Sequence, residues 1–134
     1  MKVVAFLNPE NGTCAQTLSF LYKLHQLGAK IEKVYLVLEN TYHAEKWVLS
    51  FAMPVSKEEI EGIKKTYVKK ILAEWEALSG NTDLPVEARV DEVKKMVKEL
   101  NLEGIDQIVL GCLDEKSLCK LIETLDKPVL IVKN

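Results

Sequence analysis

Residues 111–117 read Gly-Cys-Leu-Asp-Glu-Lys-Ser, between an apolar run and a helical pattern. A strand that ends at a glycine and passes through a short polar loop into a helix is a layout in which α/β proteins hold phosphate. The N–H groups at the helix start face the anion, and glycine lets the backbone come close. Two features oppose that use here. The loop has one glycine, Gly111, and it places Asp114 and Glu115 at the helix start. Carboxylates there cap free N–H groups and interact well with the helix dipole. They occupy donors that a phosphate needs, and each repels it by on the order of 1–4 kcal/mol at about 4 Å. The stretch reads as a self-capped helix start. Lys116 and Ser117 could hold a lone phosphate or sulfate, but with acids beside them a solvated lysine and a first-turn serine are the better reading.

The other reactive side chains form no catalytic constellation. His25 and His43 are far apart and neither has a Cys or His at ligand spacing, so no metal signature is present. Glu58-Glu59 and Asp114-Glu115 fall at helix starts, where they serve as dipole partners. The cysteines are Cys14, Cys112 and Cys119. Cys119, beside Leu118, is expected in core or interface packing.

The chain has 134 residues and a net charge of −2, which fits one domain, residues 1–134, with no global field to draw nucleic acid. Arg89 is the one arginine among 18 basic residues. Arginine supplies the planar forks that read phosphates and guanines, so its scarcity also argues against nucleic acid. No apolar run approaches the roughly 20 residues that span a bilayer, and no membrane partner is expected. Met1-Lys2-Val3-Val4 enters a strand without a cleavable leader. The expectation is a cytoplasmic protein whose three cysteines stay reduced.

The elements that must position these residues follow from periodicity. The run 3–7 suits a strand covered on both faces. Thr13 with Gln16 can make a capping box for a first helix whose stripe Leu18, Leu21, Tyr22 and His25 falls at i, i+3, i+4 and i+7, with His25 at the core's edge, and Gly28 marks its end. Residues 33–40 read as a second strand. Residues 41–55, with Trp47, Phe51 and Met53, read as a short helix or an ordered loop, acting either as a lid or partner patch or as a cover over the sheet. Ser56 with Glu59 opens a helix striped by Ile60, Ile63, Tyr67, Ile71, Trp75 and Leu78 up to Gly80. Residues 84–91 alternate as a half-exposed edge strand. Asp91 can cap a helix with Val93, Met96, Val97 and Leu100 inward. Residues 106–111 form a fourth strand. A helix with Leu118, Leu121, Ile122 and Leu125 follows, and 128–132 close as a fifth strand. Alternating strands and helices imply a parallel sheet wound on both faces, with its ligand crevice at the carboxyl ends of the strands. The loops after the first and fourth strands are the places to look for function.

Five strands, a long insert after the second, a first strand ending at Asn8, the strand Ile108-Val109-Leu110-Gly111 and the terminal Lys127-Pro128-Val129-Leu130-Ile131-Val132 resemble the universal stress protein family over essentially the whole chain. The resemblance implies a three-layer α/β/α fold with a five-stranded parallel sheet in the order 3-2-1-4-5. Nucleotide-binding members carry Gly-x-x-Gly, nine residues, then Gly-Ser or Gly-Thr after the fourth strand, and an Asp at the end of the first. Counted without gaps from Gly111, the later positions fall on Asp114 and Thr124-Leu125. Aligned on the last helix and strand, Ser117 takes the serine position and Lys116 replaces its glycine. Five residues then separate Gly111 from Ser117, where the ATP-binding pattern has thirteen. Asn8 stands in place of the Asp, and Pro9 removes a further donor.

The resemblance therefore implies a regulatory or stress-response protein without an ATP cradle, acting by surface recognition on an unknown protein partner. It also implies a homodimer through the last strand, Pro128 to Val132. The alternative is an ATP- or AMP-binding protein, or a slow ATPase, with Asn8, Gly111, Lys116 and Ser117 as a residual nucleotide or anion site. The family's strand order also makes Cys14 and Cys112 neighbours. A redox pair is conceivable there, though small buried hydrophobes are the commoner outcome. A receiver domain is excluded, because no phosphoacceptor Asp follows a central strand.

Overall fold

The computed structural model describes residues 1–50 and 56–133, with residues 47–50 described by backbone alone. The strands are β1 (Lys2–Leu7), β2 (Lys30–Val37), β3 (Val86–Arg89), β4 (Gln107–Gly111) and β5 (Val129–Val132). The helices are α1 (Ala15–Gln26), α2 (Glu39–Ser50), α3 (Lys57–Ser79), α4 (Val93–Glu99) and α5 (Glu115–Thr124), and one 3-10 turn covers Pro9–Asn11. The sheet is parallel throughout, in the order β3-β2-β1-β4-β5.

The central strand explains the layering. Successive side chains of a strand point to opposite faces, and every residue from Val3 to Leu7 is buried. Val3, Ala5 and Leu7 pack with Leu18 and Leu21 of α1 and with Ile71 and Trp75 of α3. Val4 and Phe6 pack on the other side with Val93, Met96 and Val97 of α4 and Leu121 of α5. The two apolar layers thus read directly from the unbroken run in β1.

Some boundaries differ from expectation. Residues 33–40 do not form one strand: β2 starts at Lys30 and ends at Val37, and Glu39 already belongs to α2. Two helices, α2 and α3, therefore separate β2 from β3. The side chains of Trp47, Phe51 and Met53, and so the question of a lid, lie outside the described residues. The Thr13–Gln16 box does not form; Thr13 Oγ1 accepts from the Ala15 amide, and Cys14 takes the cap position without a side-chain bond. Glu92 rather than Asp91 caps α4, because Asp91 pairs with Arg89 at 2.8 Å. Ile122 and Cys119 are exposed, not interior. Other signals hold: Ser56 accepts from the Glu59 amide, and Gly80 ends α3 in the left-handed conformation.

Candidate functional site

The carboxyl ends of β1 and β4 lie side by side, with Leu7 paired to Gly111. A recess of about 500 Å³ opens there, lined by Asn8, Asn11, Gly12, Thr13, Cys112, Leu113 and Asp114. Of the four residues singled out in the sequence, it brings in only Asn8.

Asn8 is buried, at 2% exposure. Its Oδ1 accepts from the Glu10 amide at 2.9 Å, which turns the chain sharply after β1. Its Nδ2 donor is buried and has no partner among the described residues. An unpaired buried donor is costly, and this one belongs to a residue that lines the recess.

The loop beyond Asn8 is fastened from two sides. Lys70 of α3 donates from Nζ to the carbonyls of Pro9 and Gly12, at 3.0 Å each. Glu10 accepts from the Asn40 and Thr41 amides, each at 2.9 Å, and from the Thr41 hydroxyl at 2.7 Å. Its carboxylate thus holds the start of α2, where free amides and the helix dipole favour negative charge. Asn40 Nδ2 also donates to Asn11 Oδ1 at 2.9 Å. The start of a helix at the sheet's crevice is occupied from within the molecule. Neither Glu10 nor Lys70 was legible as a site residue, since their partners lie 30 and 61 residues away.

The loop after β4 shows why each sequence candidate stands where it does. Gly111 is buried against α1: a Cβ built on it would meet Thr17 Cγ2 at 2.6 Å and Cβ at 2.8 Å. Close helix packing accounts for this glycine. Asp114 caps α5, accepting from the Ser117 amide at 2.7 Å. Ser117 is fully buried, with its hydroxyl unpartnered among the described residues, while Lys116 is exposed. Ser117 therefore does not face the recess as an anion ligand would, and its amide is already engaged.

The cysteines depart from the expectation of three reduced thiols. Cys14 and Cys112 are joined in a disulfide, with Cα atoms 5.6 Å apart. The pairing ties the loop after β1 to the loop after β4. Cys112 has a φ of 43°, in the left-handed region that disfavours side chains.

A second charged cluster lies over α5. Glu39 is buried at 4% exposure, with Lys120 Nζ 3.6 Å and His43 Nε2 3.7 Å from its Oε1. The Arg89 guanidinium sits among Asp91, Glu99 and Glu87, at 2.8, 3.0 and 3.4 Å, so the one arginine is committed to internal ion pairs. His25 lies at the opposite end of the sheet, lining a recess with Trp75, Asp83 and Leu84. No group of three His, Cys, Asp or Glu side chains able to hold a metal occurs among the described residues. No described helix is long and apolar enough to cross a membrane.

No family model matches the chain. It is 32% identical to a universal stress protein of Aquifex aeolicus (strain VF5), over 99% of this chain and 100% of that protein. Among solved structures it is similar to the universal stress protein from Archaeoglobus fulgidus in complex with dAMP, with a TM-score of 0.58. That likeness covers 99% of this chain and 98% of the other, at 17% identity, and speaks for the fold alone. Full-length similarity to the Aquifex protein, on a sheet wound 3-2-1-4-5 with its crevice where β1 and β4 end, makes this chain a member of the universal stress protein family.

Proposed function

We propose that the chain is a cytoplasmic, non-enzymatic regulatory protein that works as a homodimer through surface recognition and lacks a triphosphate cradle. One observation carries this reading. The helix start that would receive a phosphate is closed by Asp114, whose carboxylate takes the Ser117 amide at 2.7 Å. A bound phosphate would have to displace it and tolerate its charge. The dimer is supported by β5, an edge strand whose Leu130 and Ile131 are 37% and 50% exposed. Such an edge favours pairing with a second copy.

A second reading keeps a nucleotide. It is favoured by the unpaired Asn8 Nδ2 beside the recess and by the dAMP in the Archaeoglobus relative. In that case Asn8 would donate to a base or ribose, with little contribution from phosphate contacts.

Calorimetric titration with ATP, ADP and AMP, with and without magnesium, separates the two. The first reading expects no heat from any of them. A micromolar dissociation constant for ATP overturns it, and binding of AMP without preference for added phosphates establishes the second. Light scattering after size exclusion at micromolar concentration tests the dimer, and a monomeric mass would count against it.

A further inference from the structure

The Cys14–Cys112 bond joins the two loops that form the mouth of the crevice, 98 residues apart in sequence. Its two ends have different surroundings. Cys112 is half-buried and lines the open recess. Cys14 is 1% exposed and occupies the cap position of α1, a 12-residue helix. We propose that this pair is a reversible thiol–disulfide exchange site, reduced by a dithiol that enters through the recess, and that the bond's state sets how firmly the two loops are held. This goes beyond the function proposed above and does not depend on whether a nucleotide binds.

The asymmetry gives the exchange a direction. A thiolate of the incoming dithiol attacks Sγ of Cys112, the less buried cysteine and the one that lines the recess, and forms a mixed disulfide. The Cys14–Cys112 bond breaks, and its electron pair leaves on Cys14 Sγ. Cys14 then takes up a proton as a buried thiol, its Sγ 3.7 Å from the Asn8 carbonyl oxygen that can accept from it. The reductant's second thiolate then displaces Cys112. The reductant is oxidised by two electrons to its own disulfide, and its two protons pass to the cysteines of the protein.

The consequence for the loops follows from the backbone. Cys112 is held at a φ of 43°, a region that a residue with a Cβ leaves when it is free to do so. Opening the bond releases that constraint and detaches residues 112–114 from residues 8–14. The hydrogen bonds of Lys70 and Glu10 remain to hold the first loop, so the change is local.

The test uses Cys119→Ser, which removes the exposed free thiol. Dithiothreitol is expected to reduce the bond in native buffer, and oxidised glutathione to restore it. Reduced glutathione, trapped by acid and mapped by peptide mass, is expected on Cys112 rather than Cys14. Amides of residues 10–14 and 112–114 should exchange hydrogen on the order of tenfold faster once the bond is open, with the strands unchanged. Cys14→Ser/Cys112→Ser/Cys119→Ser should reproduce the reduced state. A bond that opens only in urea, glutathione caught mainly on Cys14, loop exchange that does not respond, or loss of the whole fold on reduction would each overturn the proposal.

Discussion

Gly111, at the end of β4, lies so close beneath Thr17 of α1 that a Cβ on the glycine would meet the threonine's Cγ2 at 2.6 Å. This contact sets how near α1 can lie to the sheet beside the crevice. Gly111→Ala should destabilise the fold by about 1–3 kcal/mol, the usual range for overpacking a close-packed interior. Thr17→Ala in the same chain should recover part of that loss, because it removes Oγ1 and Cγ2 but leaves Cβ, 2.8 Å from the added carbon. Urea unfolding of the two single variants and the double variant checks the pair. A loss undiminished in the double variant would assign the glycine to something other than packing.

Asp114 stands alone as the side-chain cap of α5. Asp114→Ala should cost about 1 kcal/mol of stability, as caps generally do. The lowered midpoint of thermal or urea unfolding measures it, and Asp114→Asn should retain most of the wild-type value. An unchanged midpoint in Asp114→Ala would remove the ground for reading this helix start as self-capped.

Glu10 makes three hydrogen bonds to the start of α2. Glu10→Ala should cost about 1.5–3 kcal/mol, the range for hydrogen bonds to a charged group. The loss should be local, seen as faster hydrogen exchange at the amides of residues 40–43. Equal protection of those amides in both proteins would show that α2 needs no help from the first loop.

Glu92 offers a pH-dependent test. The backbone N–H of Lys95 holds its carboxyl below the ordinary carboxylate range, although burial acts the other way; the Lys94 amide and nearby lysines add to the lowering. The folded protein therefore prefers the ionised form more than the unfolded chain does. That preference stabilises the fold above the unfolded carboxylate range and is lost as pH falls through the lowered folded value. The melting-temperature gap between wild type and Glu92→Gln should be open at about pH 7 and close toward about pH 3. A gap that stays constant across that range would contradict the capping role.

Much of this arrangement is written locally in the chain. The apolar run Val3–Leu7 carries both hydrophobic layers, Ser56 and Gly80 bracket α3, and Asp114 announces α5. The strand order came through resemblance, since hydrophobic pattern alone does not choose neighbours. What stayed hidden is non-local. Thr13 looks like a cap with Gln16, yet its hydroxyl accepts from the Ala15 amide and Cys14, tied to Cys112, takes the cap position. Asp91 looked like the cap of α4, but the guanidinium two residues earlier claimed it. The segment after β2 lacked clear apolar periodicity, and part of what supports its helix start is a carboxylate 30 residues upstream. At the crevice, Asn8 and Gly111 were found for their positions, while the reasons for them lie in Glu10 and Thr17.

The two margins of the sheet are unlike each other. Along β3, Glu87 and Arg89 bear charge and are bridged to Lys33, Asp91 and Glu99; along β5, Leu130 and Ile131 are bare aliphatics. One border is adhesive and the other is defended by ions that would have to be stripped of water before another strand could join. Two molecules meeting through β5 would use up both adhesive borders at once and leave only defended ones outside. Growth into a filament would then end at its first step, which is a safe way for a small parallel sheet to keep an open flank.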